Sequence, residues 1–252
     1  MSHNFCPSVS INTYSGLLTW PSVVEIEIGV RCNRRCVYCP NGTLGPPLFS
    51  DFMDLDLYRR IITQLSEIGF SGRLSFNFYN EPLLRQDLET LVAIARAGLP
   101  LARLVLYTNG DLLTDTRYSN LLEAGIDFFI VTRHGREPMK SRPHQLVQFP
   151  EDLDISGRGG TVASVPEPLR RACHAPSEML IVTVNGDVVL CHEDARREVV
   201  LGNLGRSTIQ EIWSSNGIER FRRHLTQGER QEAGQLCARC NHRAYPGPNM
   251  TI

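Results

Sequence analysis

Apolar and polar residues alternate along the first part of the chain with two different periods. Residues 23–28 alternate at every second position, which predicts a β-strand. Further short apolar runs predict strands, and the segments between them have apolar residues at helical spacing. The predicted strands are 23–28, 73–79, 104–107 and 128–132, and the predicted helices are 54–69, 86–97 and 114–124. Strands that alternate with helices of this length indicate β-α-β units and a parallel sheet.

The regular alternation ends after residue 132, where only a short strand at 146–149 is predicted. A complete eightfold (β/α) barrel needs about 250 residues by itself. The fold class we predict is therefore α/β, with a partial, TIM-like (β/α) barrel over residues 21–166. We expect an N-terminal extension at 1–20 and an irregular, Gly/Pro-rich segment at 41–50.

The pattern changes from Cys173 onward, and we place a domain boundary near residues 166–168. Two apolar runs, 179–184 and 187–190, flank Asn185-Gly186, which predicts a β-hairpin with a type I′ turn. Two amphipathic segments, 209–213 and 218–225, follow it. The sequence thus predicts a small α+β domain at 167–243 and a tail at 244–252.

Composition limits the classes of function. A formal net charge of −1 argues against an electrostatic nucleic-acid binder, and we expect the arginine-rich segment 133–142 to be a solvated face. The N-terminus lacks the pattern of a signal peptide, and no apolar run is long enough to span a membrane. Eight cysteines in such a chain indicate metal or redox use in a reducing compartment. We expect a cytoplasmic protein without a nucleic-acid or membrane partner.

Two sets of cysteines are candidate metal ligands. Three lie together in the loop after the first predicted strand, and three thiolates suit an iron–sulfur cube with one open iron. A structural zinc site normally takes four protein ligands, and this loop lacks a fourth. The first set is Cys32, Cys36 and Cys39, and the second is Cys173, Cys191, Cys237 and Cys240. For the second set the residues leave a four-ligand iron–sulfur cluster and a structural zinc both open, and we expect no role for Cys6.

The Cys-x3-Cys-x2-Cys spacing, with Tyr38 before the third cysteine and a strand before the loop, resembles the radical S-adenosylmethionine (SAM) superfamily. Next to that loop, the second cysteine set resembles the shortened SPASM domain known as a twitch. The resemblance implies two [4Fe–4S] clusters, one that binds SAM and one auxiliary. It also implies an external one-electron reductant of the flavodoxin or ferredoxin type.

The resemblance further implies which residues meet SAM. Tyr79-Asn80-Glu81-Pro82 stands where the family has Gly-Gly-Glu, so Asn80 and Glu81 are expected at the SAM amino group. Thr108 and Asn109 end the third predicted strand and are expected at the ribose. Tyr38 is expected near the adenine.

Over its whole length the chain resembles the small radical SAM dehydrogenases of aminoglycoside assembly, which oxidise an aminocyclitol alcohol to a ketone. The stretches Arg158-Gly159-Gly160 and Cys191-His192-Glu193-Asp194 carry the more specific part of this resemblance. They imply that Arg158 orients the substrate hydroxyl and that Glu193 touches the substrate, an aminocyclitol or aminosugar. His192 departs from the family pattern, which has an aromatic residue there.

Three other functions remain open. A radical SAM sugar epimerase needs a spare cysteine as hydrogen donor, and only Cys6 is spare. A ribosomal-peptide-modifying radical SAM enzyme is expected to have an added leader-binding module, which this short chain lacks. A non-catalytic metal-binding or scaffold protein would leave the Tyr-Asn-Glu-Pro and Thr-Asn-Gly segments without a purpose.

Overall fold

A computed structural model describes residues 20–45, 51–135, 140–153 and 155–243. Within these residues, eight strands form one sheet in the order β5-β4-β3-β2-β1-β6-β7-β8. The strands are β1 (Val23–Ile26), β2 (Arg73–Ser75), β3 (Arg103–Thr108), β4 (Phe128–Thr132), β5 (Gln145–Gln148), β6 (Met179–Val182), β7 (Asp187–Val189) and β8 (Val200–Asn203). The helices are α1 (Pro40–Thr43), α2 (Leu55–Glu67), α3 (Leu88–Gly98), α4 (Asp115–Ala124), α5 (Ala175–Glu178), α6 (Ile209–Trp213), α7 (Asn216–Thr226), α8 (Arg230–Ala233) and α9 (Gln235–Ala238).

The strands from β5 to β6 in this order are all parallel, and β7 and β8 are antiparallel additions. The C-terminal part of the chain therefore joins the sheet through β6, where Val23 pairs with Met179 and Ile26 with Val182. This confirms the predicted α/β class with an open, largely parallel sheet. The predicted division at residues 166–168 stays a prediction.

The two faces of the sheet have different surroundings because side chains alternate along a strand. On one face Val24, Leu74, Leu104 and Phe129 are fully buried in the main apolar core, together with residues of α2, α3 and α4. On the other face the polar Glu25 of β1 alternates with those core residues. The core thus lies between the sheet and its helices, and the opposite face is left for a site.

Side-chain caps explain why two predicted helices begin where they do. The Asp54 carboxylate accepts hydrogen bonds from the backbone N–H groups of Asp56 and Leu57 at the start of α2. The Thr114 hydroxyl accepts one from the N–H of Arg117 at the start of α4. Both helices lie within the predicted bounds to one or two residues.

The predicted type I′ turn is wrong. Thr183 N–H donates to the Asp187 carbonyl, and Gly186 N–H donates to the Thr183 carbonyl, both at 2.8 Å. Gly186 has φ +87°, but Asn185 is not among the described residues with positive φ, and a type I′ turn needs both. The hairpin instead has a three-residue loop, 184–186, with glycine in the left-handed position.

Some predicted segments differ in extent. The predicted strands 23–28 and 73–79 end earlier, at Ile26 and Ser75, and the predicted irregular segment 41–50 begins inside the short helix α1. Residues 46–50, the N-terminal residues 1–19 with Cys6, and the tail 244–252 lie outside the described residues. Of the helices in the described part, none has both the length and the apolar character needed to cross a membrane.

Candidate active site

The loop after β1 carries the first cysteine set. Cys32, Cys36 and Cys39 are free, partly buried thiols. A 3.0 Å hydrogen bond from the Cys39 N–H to the Cys36 carbonyl turns the loop back on itself. Val37, between two of the cysteines, is 90% exposed. The loop therefore presents three sulfur ligands and keeps one edge at the protein surface.

Glu81 ties this loop to the ends of neighbouring strands. Its N–H donates to the Arg31 carbonyl at 2.9 Å. Its carboxylate accepts from Leu83 N–H at 3.0 Å, from the Thr108 hydroxyl at 2.7 Å and from Asn109 N–H at 2.8 Å. Burial raises the pKa of Glu81, and these three donors oppose that shift. Because parallel strands end at one edge, these residues meet beside the cysteines.

Asn109 extends this network to the cysteine loop. Its side-chain amide donates to Asn33 Oδ1 at 2.8 Å and lies 3.9 Å from the Cys32 sulfur. Asn80 instead makes a hydrogen bond within its own segment. Its Oδ1 accepts from Phe78 N–H at 2.9 Å. The structure thus brings Asn80, Glu81, Thr108 and Asn109 to the same edge of the sheet. Their contacts with SAM stay predictions.

Tyr38 lies against His134, a residue for which the sequence predicts no role. The two rings are parallel, with centroids 5.9 Å apart, and the Tyr38 hydroxyl is 3.2 Å from His134 Nε2. The same nitrogen lies 3.7 Å from the Cys36 sulfur. His134 therefore fixes the aromatic ring beside the cysteine loop. The adenine contact of Tyr38 stays a prediction.

A main cavity of about 790 Å³ opens over the inner face of the sheet, beside this loop. Its lining includes Cys32, Cys39, Glu25, Arg73, Arg158 and His192. Within the described part of the chain, four lining residues have a buried side-chain atom without a hydrogen-bond partner. These atoms are Arg73 Nε, Asn77 Oδ1, Arg158 Nε and Glu178 Oε1. Protein covers these atoms, so the groups that a ligand can meet are the other polar atoms of the lining, which include charged side chains of both signs.

Glu25 is the acidic group at the centre of the inner face. Its side chain is 8% exposed, and burial raises its pKa against the opposing charges of His192, Arg73 and Arg158. Among the described residues its carboxylate has no hydrogen-bond or ion-pair partner. A carboxylate in this position complements a cationic or hydrogen-bond-donating ligand group.

Arg158 and Glu193 meet at the boundary between the main cavity and the second cysteine set. Glu193 Oε1 lies 3.0 Å from His192 Nε2, 3.4 Å from Arg158 Nη1 and 2.6 Å from the Ser156 hydroxyl. Burial works against ionisation, but His192, Arg158 and Ser156 outweigh it and lower the pKa of Glu193 to about 2. Glu193 is 2% exposed and lies behind Arg158 and His192, which line the main cavity. A direct substrate contact of Glu193 stays a prediction.

The second cysteine set lines a cavity of its own, here called the cysteine cavity. Cys173, Cys191, Cys237 and Cys240 all face it, with apolar neighbours such as Leu190. Burial raises the pKa of Cys237 to about 12 and that of Cys240 to about 11. Bare thiols here are neutral, and binding of a metal or cluster removes their protons.

Sulfur spacing favours a cluster over a single zinc ion. A tetrahedral zinc with Zn–S bonds of about 2.3 Å places its sulfurs within about 3.8 Å of one another. Among the described residues, the only set of three candidate ligand atoms within 4.8 Å is that of His192, Glu193 and His242, and the thiols form no such set. The thiols of the described residues therefore do not form a ready zinc site, and thiolate donors in these numbers suit an iron–sulfur cluster, whose ligands stand farther apart.

Several residues of these sites, His134 among them, were missed or given no role by sequence reasoning. Glu25 occupies a regular polar position in the alternation of its strand. Periodicity does not show which face of the sheet lines a cavity. Glu178 and Arg230 lie in short helices without a strong pattern. His192 was noticed only as a departure from the family. The one available signal was adjacency to a cysteine ligand, which applies to His192 alone.

Both cysteine sets lie in segments that match known protein families. Residues 26–143 match the radical SAM superfamily and contain the first cysteine set. Residues 173–241 match the iron–sulfur cluster-binding domain called SPASM and contain the second set.

The chain is similar throughout to a characterised enzyme. The S-adenosyl-L-methionine-dependent 2-deoxy-scyllo-inosamine dehydrogenase of Niallia circulans is 38% identical over 234 residues, which cover 88% of this chain and 93% of that protein. The crystal structure of BtrN in complex with AdoMet and 2-DOIA matches with a TM-score of 0.83 and 36% identity, covering 90% of this chain and 95% of that one. BtrN in an open conformation matches with a TM-score of 0.76 and 34% identity, covering 90% and 94%.

Proposed function

The chain belongs to the radical SAM superfamily, and on that premise we propose that it oxidises a secondary alcohol of an aminocyclitol or aminosugar to a ketone in natural-product assembly. Cys32, Cys36 and Cys39 would hold the SAM-binding cluster, and Cys173, Cys191, Cys237 and Cys240 the auxiliary cluster. When bound, SAM with its cluster supplies hydrogen-atom abstraction, and the auxiliary cluster supplies one-electron oxidation. The relative named above is a dehydrogenase of 2-deoxy-scyllo-inosamine, which supports this substrate class.

The observation that carries the proposal is the set of charged and polar side chains that lines the main cavity beside the first cysteine loop. Arg73 and Arg158 bring hydrogen-bond donors to this lining, and Glu25 and Asn77 bring acceptors. A molecule with several hydroxyl groups offers both donors and acceptors to satisfy them. The Glu25 carboxylate adds a place for a protonated amine.

Arg158 is suited to orient the alcohol rather than to deprotonate it. Burial lowers its pKa, but the surroundings, including Tyr79 and Glu193, more than compensate and raise the pKa above its ordinary value. The guanidinium therefore stays charged and can only donate hydrogen bonds. Its Nη1 lies 3.4 Å from Glu193 Oε1, and the residue lines the main cavity.

Glu193 lies between the main cavity and the cysteine cavity. Conversion of an alcohol to a ketone releases a hydrogen atom, a proton and an electron, so a base and an electron acceptor must both be near the hydroxyl. Glu193 lies two residues after Cys191 and contacts Arg158 and His192. We propose that it positions these two side chains against the substrate.

We also propose that the external one-electron reductant, of the flavodoxin or ferredoxin type, docks beside the first cysteine loop. A groove of about 360 Å³ there is lined by Arg34, Arg133, Lys140 and Arg142, next to His134. Arg34 pairs with an acid, as do Lys140 and Arg142. The surplus positive charge of Arg133, and of the exposed Arg35 on the loop, complements an acidic carrier. A cytoplasmic location stays a prediction.

The function is tested by an anaerobic assay of the reconstituted protein with SAM, dithionite and 2-deoxy-scyllo-inosamine. We expect a product two mass units lighter, formed together with 5′-deoxyadenosine. The Cys191→Ala variant should still cleave SAM but should not form the ketone. Ketone formation at the wild-type rate by that variant would rule out the auxiliary cluster as electron acceptor.

A matched experiment addresses the alternative of epimerisation. The seven cysteines of the described residues all lie in the two ligand sets, so a hydrogen-donating thiol would have to come from elsewhere. In D2O an epimerase incorporates solvent deuterium into a product of unchanged oxidation state. A ketone with no such isomer supports the dehydrogenase, and a deuterated isomer without ketone contradicts it.

A further inference from the structure

Arg230 is a buried cation at the wall of the cysteine cavity. It is the first residue of α8 and is 3% exposed. Its guanidinium lines the cavity together with the four thiols of the second set. A charged side chain is rarely buried to this degree unless it is paired.

All hydrogen bonds of the Arg230 side chain go to backbone carbonyls. Nε donates to Arg171 O at 3.2 Å, Nη1 to Cys240 O at 3.4 Å and Nη2 to His242 O at 2.9 Å. In the part of the chain that the structure describes, no carboxylate lies within ion-pair distance of this guanidinium. The neutral carbonyls satisfy its donors but leave its charge uncompensated.

Two acids close to Arg230 in the cavity wall or in sequence have other partners. Glu193 also lines the cysteine cavity, but its oxygens accept from Ser156, Arg158 and His192. Glu229, the neighbour of Arg230 in sequence, pairs with His224 at 2.8 Å. An anionic occupant of the cysteine cavity would supply the counter-charge that these acids do not.

An iron–sulfur cluster with four thiolate ligands carries net negative charge, and one-electron reduction adds one more. A fixed positive charge nearby stabilises the reduced form more than the oxidised form, because the attraction grows with the charge on the cluster. Net charge and hydrogen bonding near the sulfurs are among the factors that set cluster potentials. A buried guanidinium acts strongly here because water does not screen it.

We propose that Arg230 is a positioning residue for the auxiliary cluster. Its guanidinium neutralises charge on that cluster and raises the reduction potential of the cluster, so that the cluster accepts an electron readily. The inference rests on the proposed function in that it places the cluster on the four cysteines of this cavity. It adds a reason why the cluster at this end of the chain acts as acceptor.

The two roles of Arg230, charge and hydrogen bonding, are separable by substitution. Arg230→Met removes both the charge and the bonds to the Cys240 and His242 carbonyls. Arg230→Lys keeps the charge but cannot make three bonds with the same geometry. Arg60→Met is a matched control, because Arg60 also donates to a carbonyl, that of Leu204 at 2.9 Å, but does not line the cavity.

The experiment measures the midpoint potential of the auxiliary cluster by redox-poised EPR. It uses the full chain with Cys32, Cys36 and Cys39 replaced by Ala, so that only the auxiliary cluster loads. Iron content is measured first for each protein. We expect a lower midpoint for Arg230→Met, a midpoint close to the parent for Arg230→Lys, and no shift for the Arg60 control.

Equal midpoints in the parent and in fully loaded Arg230→Met would overturn the inference, as would a Lys variant that drops as far as the Met variant. If Arg230→Met fails to load iron, the Lys variant decides. Loading restored by Lys supports the need for charge, and failure of both variants assigns Arg230 to scaffolding alone. Failure of the proposed substrate leaves all these readouts unchanged, because none of them uses substrate.

Discussion

Replacement of Glu81 by Gln tests whether one buried carboxylate holds the candidate active site together. Glu81 is 4% exposed. Its carboxylate accepts hydrogen bonds from Leu83 N–H, the Thr108 hydroxyl and Asn109 N–H. A glutamine keeps the shape but replaces one oxygen by an NH2 group. In either orientation the amide then faces a backbone N–H donor and leaves it unpaired.

The cost follows from the group left without a partner. An unsatisfied buried donor costs about 1–3 kcal/mol. In a protein of this size each kcal/mol lowers Tm by about 2–4 °C. We therefore expect Glu81→Gln to lower the unfolding temperature of the cluster-free protein by roughly 2–12 °C.

The assay is thermal unfolding followed by far-UV circular dichroism under reducing conditions, without iron or SAM. Glu89→Gln is the matched control, because Glu89 makes a 2.7 Å ion pair with Arg117 but is 26% exposed. A partly exposed pair contributes at most about 1 kcal/mol. If Glu81→Gln unfolds at the same temperature as Glu89→Gln, the three-donor network does not hold the strand ends as argued.

Three further variants test other parts of the molecule. Glu25→Gln should raise KM about tenfold for an amine substrate, the value of one charge-assisted hydrogen bond, and an equal KM for both proteins would remove Glu25 from the amine site. Arg35→Glu combined with Arg133→Glu should slow cluster reduction by an acidic flavodoxin at low salt but leave reduction by dithionite unchanged; equal slowing of both reductants would contradict the docking face. Arg197→Met leaves Glu27 buried without its partner at 2.8 Å and should destabilise the protein by about 3–5 kcal/mol in urea unfolding, whereas a loss below 1 kcal/mol would contradict a buried pair.

Features that depend on neighbouring residues were predicted well. The helices α2 and α4 begin after Asp54 and Thr114, whose side chains cap them, and such caps are visible in sequence. β4 was predicted with its observed bounds, Phe128–Thr132. The hairpin was placed correctly, but its turn type was wrong because Asn185 does not adopt positive φ.

The expected cofactors were implied by a family resemblance that the cysteine spacing carries. The match to the radical SAM superfamily over residues 26–143, and to an iron–sulfur cluster-binding domain over residues 173–241, confirms the resemblance seen in the cysteines. SAM and two iron–sulfur sites are therefore features of this chain. Which side chain meets which part of SAM stays a prediction.

The charged residues that line the two cavities could not be predicted. Glu25 and Arg73 lie on strands of otherwise ordinary alternation, and either face of such a strand can be the buried one. Arg230 comes ten positions before Cys240 in a helix of four residues, Arg230–Ala233. None of these positions has a periodic or motif signal of its own.

The sequence by itself predicted the two cysteine sets as candidate ligands, the order of the first strands and helices, and the starts of the capped helices. The first cysteine set, the periodicity of each element and the caps are set by residues close together in the chain. Only the tertiary structure decided that β6 pairs with β1, which joins the C-terminal part of the chain to the sheet. It also decided that Arg158 and His192 line the main cavity together with Cys32 and Cys39, and that Glu193 lies behind them in the wall of the cysteine cavity. Contacts between residues more than a hundred positions apart arise from packing of the whole sheet, and no local pattern encodes them.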